Sequence, residues 1–342
     1  MEFWRQISRT YNSRRWLAGL LFFATAAKLY PLTVWRSRLP VSRDALIFQH
    51  SGWYISKGGR LYVDYVEVKP PAVHEMTAIL AMLSGDNMLT LHILSIIITN
   101  MMVLGSVILV GVLIYMETEQ RIPALVGGIS MFSLPRLTQL GWAGAAAKPG
   151  TVMFGLLAIY FARRSRFRFA GASAAISTAF WHIGIAFPVL VVVIAWEYEE
   201  HLKRAIQDTI FGGVVASGVI LFPILVWGGI GHMIMDVLII RAAGTGQRSL
   251  LSIVISAGSV LRWGWIVVLI GVGGAIYASI KSPRVLWPVI GGVFSALQVL
   301  FLDFDGWADL YLGIAFVSIG VGFAVKHSSG HPRSVLIGAV TI

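Results

Sequence analysis

Apolar stretches close to the length that crosses a lipid bilayer recur along the whole of this 342-residue chain. A helix needs about 20 apolar residues to cross the hydrocarbon, and this criterion predicts about ten spans. They lie near residues 16–35, 89–115, 122–135, 149–162, 169–181, 183–196, 209–228, 258–280, 285–302 and 309–325. Hydrophobic residues make up 57% of the chain and charged residues only 13%, where soluble domains have about 25% charged. The prediction is an all-α, polytopic membrane protein.

The basic residues predict the orientation of the chain. Of the 27 Lys and Arg residues, 15 fall in segments that this assignment places in the cytoplasm, the amino terminus included, as the positive-inside rule expects. Lys28 lies within the first span, and the remaining cations fall outside. They fit an anionic ligand at the outer leaflet, or side chains that reach lipid headgroups. We therefore expect a multi-pass cell-membrane protein with a cytoplasmic amino terminus and an external active site.

Several function classes are excluded by composition. The chain has no cysteine, so disulfide frameworks, thiolate metal sites and cysteine nucleophiles are absent. The formal net charge of +11 fits anionic lipid better than nucleic acid in so apolar a chain, and we expect the lipid bilayer as a partner and no nucleic acid. Without a repeat or linker, residues 1–342 are expected to form one membrane domain. Residues 334–342 are too few to span, so they either pack at the interface or mark a shortened carboxyl terminus.

The first external loop, residues 36–88, is predicted to carry the chemistry because acids concentrate in it. Five of the sixteen acids lie there: Asp44, Asp64, Glu67, Glu75 and Asp86. Helix start and stop signals predict helices over residues 45–56 and 72–83. The second is only about 18 Å long at 1.5 Å per residue, so it is expected to lie on the membrane. Between them, residues 60–68 are predicted to be extended, with Asp64 and Glu67 on opposite faces.

This loop resembles that of a known enzyme family. Asp44 follows the first span, Gly52-Trp53-Tyr54-Ile55 lies in the first loop helix, and Asp64-Tyr65-Val66-Glu67-Val68-Lys69-Pro70-Pro71 leads to the second. The pattern is similar to the first loop of GT-C membrane glycosyltransferases, which use polyprenyl-phosphate sugars, and most similar to archaeal dolichyl-phosphate-mannose mannosyltransferases. The resemblance implies inverting transfer of a sugar, mannose in the archaeal group, from a dolichyl- or polyprenyl-phosphate donor to a lipid-linked glycan or a glycoprotein.

The resemblance also implies residue roles. Asp44 matches the carboxylate that deprotonates the acceptor hydroxyl, with a helix N-cap as the alternative. Lys69 matches a lysine that stabilises the departing phosphate, with headgroup contact as the alternative. From their external positions, and not from the resemblance, Arg60 and Arg241 are predicted to add positive charge at the donor phosphate, with a plain interfacial loop as the alternative for Arg241.

Departures from the family pattern affect the metal and the second loop. Ala45 follows Asp44, and Val68 precedes Lys69, where many relatives have acids. A divalent metal is compatible with the family but not supported by this motif. In the second external loop, Lys148 precedes a proline where relatives offer an acid. Lys148 is therefore predicted either to bind phosphate or to mark a lost role.

Further substrate contacts are predicted at four other positions, which are Asp64, Glu67, His182 and Asp305. A buried interhelical histidine and a solvated loop are the alternatives for the last two. Two other functions remain open for the whole chain. One is a transporter or lipid flippase, for which an intramembrane charge such as Lys28 would line a path. The other is an inactive GT-C-like scaffold.

Overall fold

A computed structural model of the chain describes residues 2–35, 39–198, 201–240, 249–302, 304 and 306–328. Arg241 and Asp305 lie outside them. The described residues are helical, and their β-structure is limited to one isolated bridge between Leu61 and Tyr65. This confirms the predicted all-α class.

Fifteen α-helices follow one another in the described part of the chain. They are α1 (Glu2–Trp35), α2 (Arg43–Ser56), α3 (Ala72–Ser84), α4 (Met88–Thr118), α5 (Arg121–Ser130), α6 (Pro135–Thr138), α7 (Ala147–Ala162), α8 (Phe167–Phe180), α9 (Ala186–Tyr198), α10 (Leu202–Val226), α11 (Ile230–Ile234), α12 (Leu250–Leu261), α13 (Gly264–Lys281), α14 (Trp287–Leu297) and α15 (Tyr311–His327). Short 3-10 turns precede α9, α14 and α15, and π-helical segments extend α11 over Met235–Ile240 and α14 over Gln298–Leu302.

Four helical segments among the described residues are long and apolar enough to cross a membrane. They are Met88–Thr118, Leu202–Val226, Gly264–Lys281 and Trp307–His327. Other predicted spans coincide with shorter apolar helices such as Ala147–Ala162. The span predicted at 258–280 is divided at Arg262, whose φ of +47° ends α12 before α13 begins. The structure thus supports a membrane protein, and the count of ten spans stays a prediction.

Glycines allow α13 and α15 to pack with their backbones in contact. A Cβ on Gly271 would lie 2.3 Å from the carbonyl oxygen of Val317, and one on Gly320 would lie 1.9 Å from the carbonyl oxygen of Gly271. No side chain fits at these distances. The glycine-rich stretch 271–274 thus permits close helix packing.

The two helices of the first loop form where the sequence predicts them, as α2 and α3. They pack tightly, because Thr77 Oγ1 on α3 donates to the carbonyl oxygen of Phe48 on α2 at 2.8 Å, and a Cβ on Gly52 would clash with Thr77 at 2.5 Å. The prediction of an extended segment over residues 60–68 is wrong for residues 60–65. Residues 60–65 form a turn, in which Tyr62 adopts a left-handed conformation with φ +66°.

Candidate functional site

Asp44 lies in the first turn of α2 and is exposed. It is not the N-cap, because Ser42 fills that role: the Ser42 hydroxyl oxygen accepts from the Ala45 N–H at 3.1 Å. Among the described residues, none makes a hydrogen bond or ion pair with the Asp44 carboxylate. A carboxylate at a helix N-terminus is stabilised by the helix dipole. Asp44 is therefore accessible to a substrate hydroxyl.

Residues 139–146, which we call the second loop, pack on the start of α2. The Ser42 N–H donates to the carbonyl oxygen of Ala143 at 3.1 Å. Gly144, with φ +104°, lies so close that a Cβ there would be 2.8 Å from Ala45 Cβ and 2.6 Å from Gln49 Nε2. A glycine is required at this position by both its backbone conformation and the lack of space. The second loop therefore sets where α2 begins.

The backbone of Lys69 is held on both sides by buried side chains. The Tyr62 hydroxyl donates to the Lys69 carbonyl oxygen at 2.6 Å, and the Glu67 carboxylate accepts from the Lys69 N–H at 3.0 Å. Tyr62 and Glu67 are only 2% and 7% exposed. Pro70 and Pro71 follow directly and restrict the backbone further. Lys69 therefore has a fixed main chain.

Lys69 is a partly buried residue. No described residue pairs with its ammonium through a hydrogen bond or a salt bridge. Its positive charge opposes the rise in the pKa of Glu67 that burial causes. A cation on a fixed main chain, with no partner bonded to it among the described residues, can bind an anion.

A buried polar network lies behind Lys69 and joins it to α2 and α3. His74 Nδ1 is bonded to the Ser51 hydroxyl at 2.8 Å, and that hydroxyl also contacts the Tyr65 hydroxyl. His74 Nε2 lies 3.7 Å from Glu67 Oε2. Burial lowers the pKa of His74 to about 3, so the imidazole is neutral at ordinary pH. Burial also raises the pKa of Tyr65 to about 12.

Asp236 is a residue of the site that the sequence analysis did not identify. It lies in the π-helical extension of α11, is 5% exposed, and accepts from the Glu67 N–H at 3.2 Å. Buried acids within apolar helices are costly and commonly functional. The sequence signal that identifies Asp236 is an acidic residue within the apolar stretch 230–240.

An apolar groove of about 990 Å³ reaches the Lys69 segment. Its walls are α8, α9, α10 and the α11 extension, and Pro70 and Pro71 also line it. His182, in the 3-10 turn before α9, lines the same groove. The structure therefore places His182 in one cavity with the two prolines that follow Lys69.

Two of the predicted cations have acidic partners instead of an open position. Arg60 is exposed and bonds the Asp64 carboxylate, with 2.7 Å between Arg60 Nη2 and Asp64 Oδ1; this pair lowers the pKa of Asp64. Lys148 forms an ion pair with Asp309, a buried residue near the start of α15. The Lys148 ammonium also lies 5.2 Å from the ring centre of Trp181. The Asp64 carboxylate pairs with Arg60, and the Glu67 carboxylate accepts from the Lys69 N–H.

The described residues contain no group of three or more His, Asp or Glu side chains that could hold a metal ion. Glu67 bonds the Lys69 N–H, and His182 lines the groove that reaches Pro70 and Pro71. Asp44 lies in the first turn of α2, and the second loop contacts the neighbouring Ser42 and Ala45.

Comparison with known proteins identifies relatives by sequence and by fold. A family model described as DolP-mannose mannosyltransferase matches residues 58–224. The chain is 29% identical over 303 residues to a dolichol phosphate-mannose mannosyltransferase of Haloferax volcanii, covering 87% of this chain and 65% of that protein. The match to the family model begins within the first loop and ends in α10.

The fold is similar to that of ArnT from Cupriavidus metallidurans. The crystal structure bound to undecaprenyl phosphate superposes with a TM-score of 0.66 at 15% identity, covering 94% of this chain and 62% of that one. The apo structure gives a TM-score of 0.60 at 18% identity, with 95% and 62% covered. The chain thus spans about two thirds of the length of these relatives. The resemblance to GT-C glycosyltransferases expected from the first loop is confirmed.

Proposed function

We propose that this membrane protein is an inverting glycosyltransferase that moves a sugar, mannose by analogy with its relatives, from a dolichyl- or polyprenyl-phosphate donor. The acceptor is a glycan carried by a lipid or a protein. The observation that carries the proposal is the Lys69 ammonium. The main chain of Lys69 is fixed, and no described residue bonds its ammonium. The prolines that follow Lys69 line an apolar groove.

The groove suits the hydrocarbon tail of such a donor. Ligand clefts are largely apolar and carry a few well-placed polar groups, and this one combines apolar walls with His182 and the Lys69 segment. A tail lying along this groove would bring its phosphate to Pro70, beside Lys69. The ammonium would then stabilise the charge that develops on the departing phosphate, and His182 would face the sugar or the phosphate.

Asp44 is proposed as the general base. Its carboxylate is exposed at the start of α2 and would accept the proton of the acceptor hydroxyl as that oxygen attacks the sugar. A single displacement needs no carboxylate nucleophile. Glu67 is assigned to holding Lys69 and not to touching substrate, because the described contacts of its carboxylate are with the Lys69 N–H and His74.

Arg60 contributes less to the donor site than Lys69 in this proposal, since Asp64 shares its charge. Lys148 is neutralised in the same way by Asp309. Arg241 keeps its proposed role as a second phosphate contact, and Asp305 its role as a substrate contact. The chain is proposed to cross the cell membrane ten times with the site on the external face.

The test is made with purified protein in lipid nanodiscs. We expect it to release polyprenyl phosphate from polyprenyl-phosphate mannose when a glycan acceptor is present. It should also bind polyprenyl phosphate more tightly than polyprenol, with a preference that shrinks as salt rises.

Equal binding of the phosphate and the alcohol would remove the anion site from the proposal. Movement of the donor across the bilayer without release of sugar would favour a flippase. Donor binding without transfer to any glycan acceptor would favour the inactive scaffold.

A further inference from the structure

Lys28 is a buried cation in α1, with 3% of its surface exposed. Its ammonium donates to the carbonyl oxygen of Thr138 at 2.6 Å and to that of Leu140. The Trp142 indole N–H donates in return to the carbonyl oxygen of Lys28 at 2.7 Å. The two segments are therefore connected by bonds in both directions.

These contacts explain why a lysine lies at this position. An ammonium in an apolar environment is costly unless hydrogen bonds compensate it. The carbonyl oxygens of Thr138 and Leu140 supply these bonds, so the Lys28 ammonium faces residues 138–140.

The second loop carries this connection to α2. Thr138 ends α6, Leu140 lies within the loop, and Ala143 bonds the Ser42 N–H three residues later. Gly144 then packs against Ala45 with no room for a side chain. The contacts thus run without interruption from Lys28 to the turn that carries Asp44.

We infer that Lys28 is a positioning residue for Asp44, acting through the second loop. The inference rests on the role proposed for Asp44 as the base. Lys28 does not touch the substrate. Its ammonium fixes residues 138–142, the loop fixes the start of α2, and the Asp44 carboxylate is thereby held where the acceptor hydroxyl arrives. Loss of the ammonium should displace Asp44 and leave the Lys69 site unchanged.

The first experiment measures this displacement without using activity. The chain has no cysteine, so spin labels can be placed at Leu46→Cys on α2 and Leu89→Cys on α4, both exposed positions. We expect Lys28→Met to shift or broaden the distance distribution between the labels. Lys281→Met is the matched control. That lysine is exposed at the end of α13, and its described contact is with the Tyr277 ring.

The second experiment measures kinetics. In Lys28→Met we expect kcat to fall by about tenfold to a hundredfold, which is typical of small misplacements of reacting groups. The donor KM should change less than about threefold, because Lys28 is not proposed to contact the donor. Because Lys28→Met could fail to fold, Trp142→Phe provides a second variant. It removes the return bond to Lys28 and should act in the same direction with a smaller effect.

The outcomes separate the two proposals. Unchanged label distances in Lys28→Met or in Trp142→Phe, relative to Lys281→Met, would overturn the positioning role whatever the activity. A donor KM that rises as much as kcat falls in Lys28→Met would also overturn it. Changed distances in a protein that transfers no sugar would leave the connection from Lys28 to α2 in place and reject the glycosyltransferase proposal.

Discussion

The two proposed reacting groups are held in opposite ways. Lys69 is bounded by buried partners: its carbonyl group and N–H are bonded by Tyr62 and Glu67, and two prolines follow. Asp44 is exposed, its carboxylate has no partner among the described residues, and its position depends on where α2 begins. The difference fits their tasks. A cation that stabilises a leaving phosphate acts best when fixed in advance, whereas a base must be open to an incoming hydroxyl.

The largest expected effect comes from removing the base. Asp44→Asn keeps size and leaves the Ser42 cap intact, so we expect transfer to be abolished while folding and donor binding stay nearly unchanged. The measurement is turnover of polyprenyl-phosphate mannose together with polyprenyl-phosphate affinity. Asp86→Asn is the control, because Asp86 is an exposed acid of the same loop that pairs with Lys57. Retention of most activity in Asp44→Asn would move the base elsewhere.

The next effect tests the cation. Lys69→Met keeps the aliphatic stem and removes the charge, so we expect turnover to fall by about a hundredfold, the range for one preorganised electrostatic contact. Lys69→Arg should be partly impaired, because a planar guanidinium does not replace a compact ammonium. Lys57→Met changes an exposed lysine of the same loop and should have little effect. Full activity in Lys69→Met would favour the headgroup-contact interpretation.

A smaller effect tests whether the rigidity of the Lys69 segment matters. Tyr62→Phe keeps the buried ring and removes the bond to the Lys69 carbonyl group, so we expect turnover to fall by about tenfold, a modest geometric loss. Tyr54→Phe is the matched control, since Tyr54 is exposed and no hydrogen bond of its hydroxyl is described. Equal kinetics in the two variants would show that the fixed backbone of Lys69 is unimportant for catalysis.

Local signals in the sequence predict one part of this arrangement and miss another. The ends of α2 and α3 follow from Ser42, Lys57-Gly58-Gly59 and Pro70-Pro71, which act on their own neighbours. The turn at residues 60–65 does not follow from such local signals, because Tyr62 is kept in a left-handed conformation by its burial and by its bond to Lys69. An alternating pattern therefore predicts a strand where the fold imposes a turn.

Contacts between distant segments are the other part that sequence patterns do not give. Asp236 reaches the Glu67 N–H across 169 positions, and Lys28 reaches Leu140 across 112. Lys148 was singled out as a cation where relatives have an acid, and the structure supplies an acid beside it from Asp309. Each residue could be recognised as unusual in an apolar stretch, but its partner depends on how helices pack.

The smallest expected effect is on the pH dependence of stability, and it again distinguishes the Lys69 region from the Asp44 region. Burial raises the pKa of the Glu75 carboxyl, on α3 beside the Lys69 segment, to about 8 from its usual 4.5. The folded state therefore binds more protons than the unfolded state between these values, so this group makes stability fall as pH rises from about 5 to 8.

Glu75→Gln removes the charge that forms on deprotonation. We expect it to raise the midpoint of thermal unfolding by about 2 °C at pH 8 and to leave it nearly unchanged at pH 5. Asp44→Asn, at an exposed helix N-terminus, should change the two midpoints by similar amounts. Parallel pH profiles of the unfolding midpoint for wild type and Glu75→Gln would show that the Glu75 carboxyl is hydrated. The contrast between the buried partners of Lys69 and the exposed Asp44 would then not extend to α3.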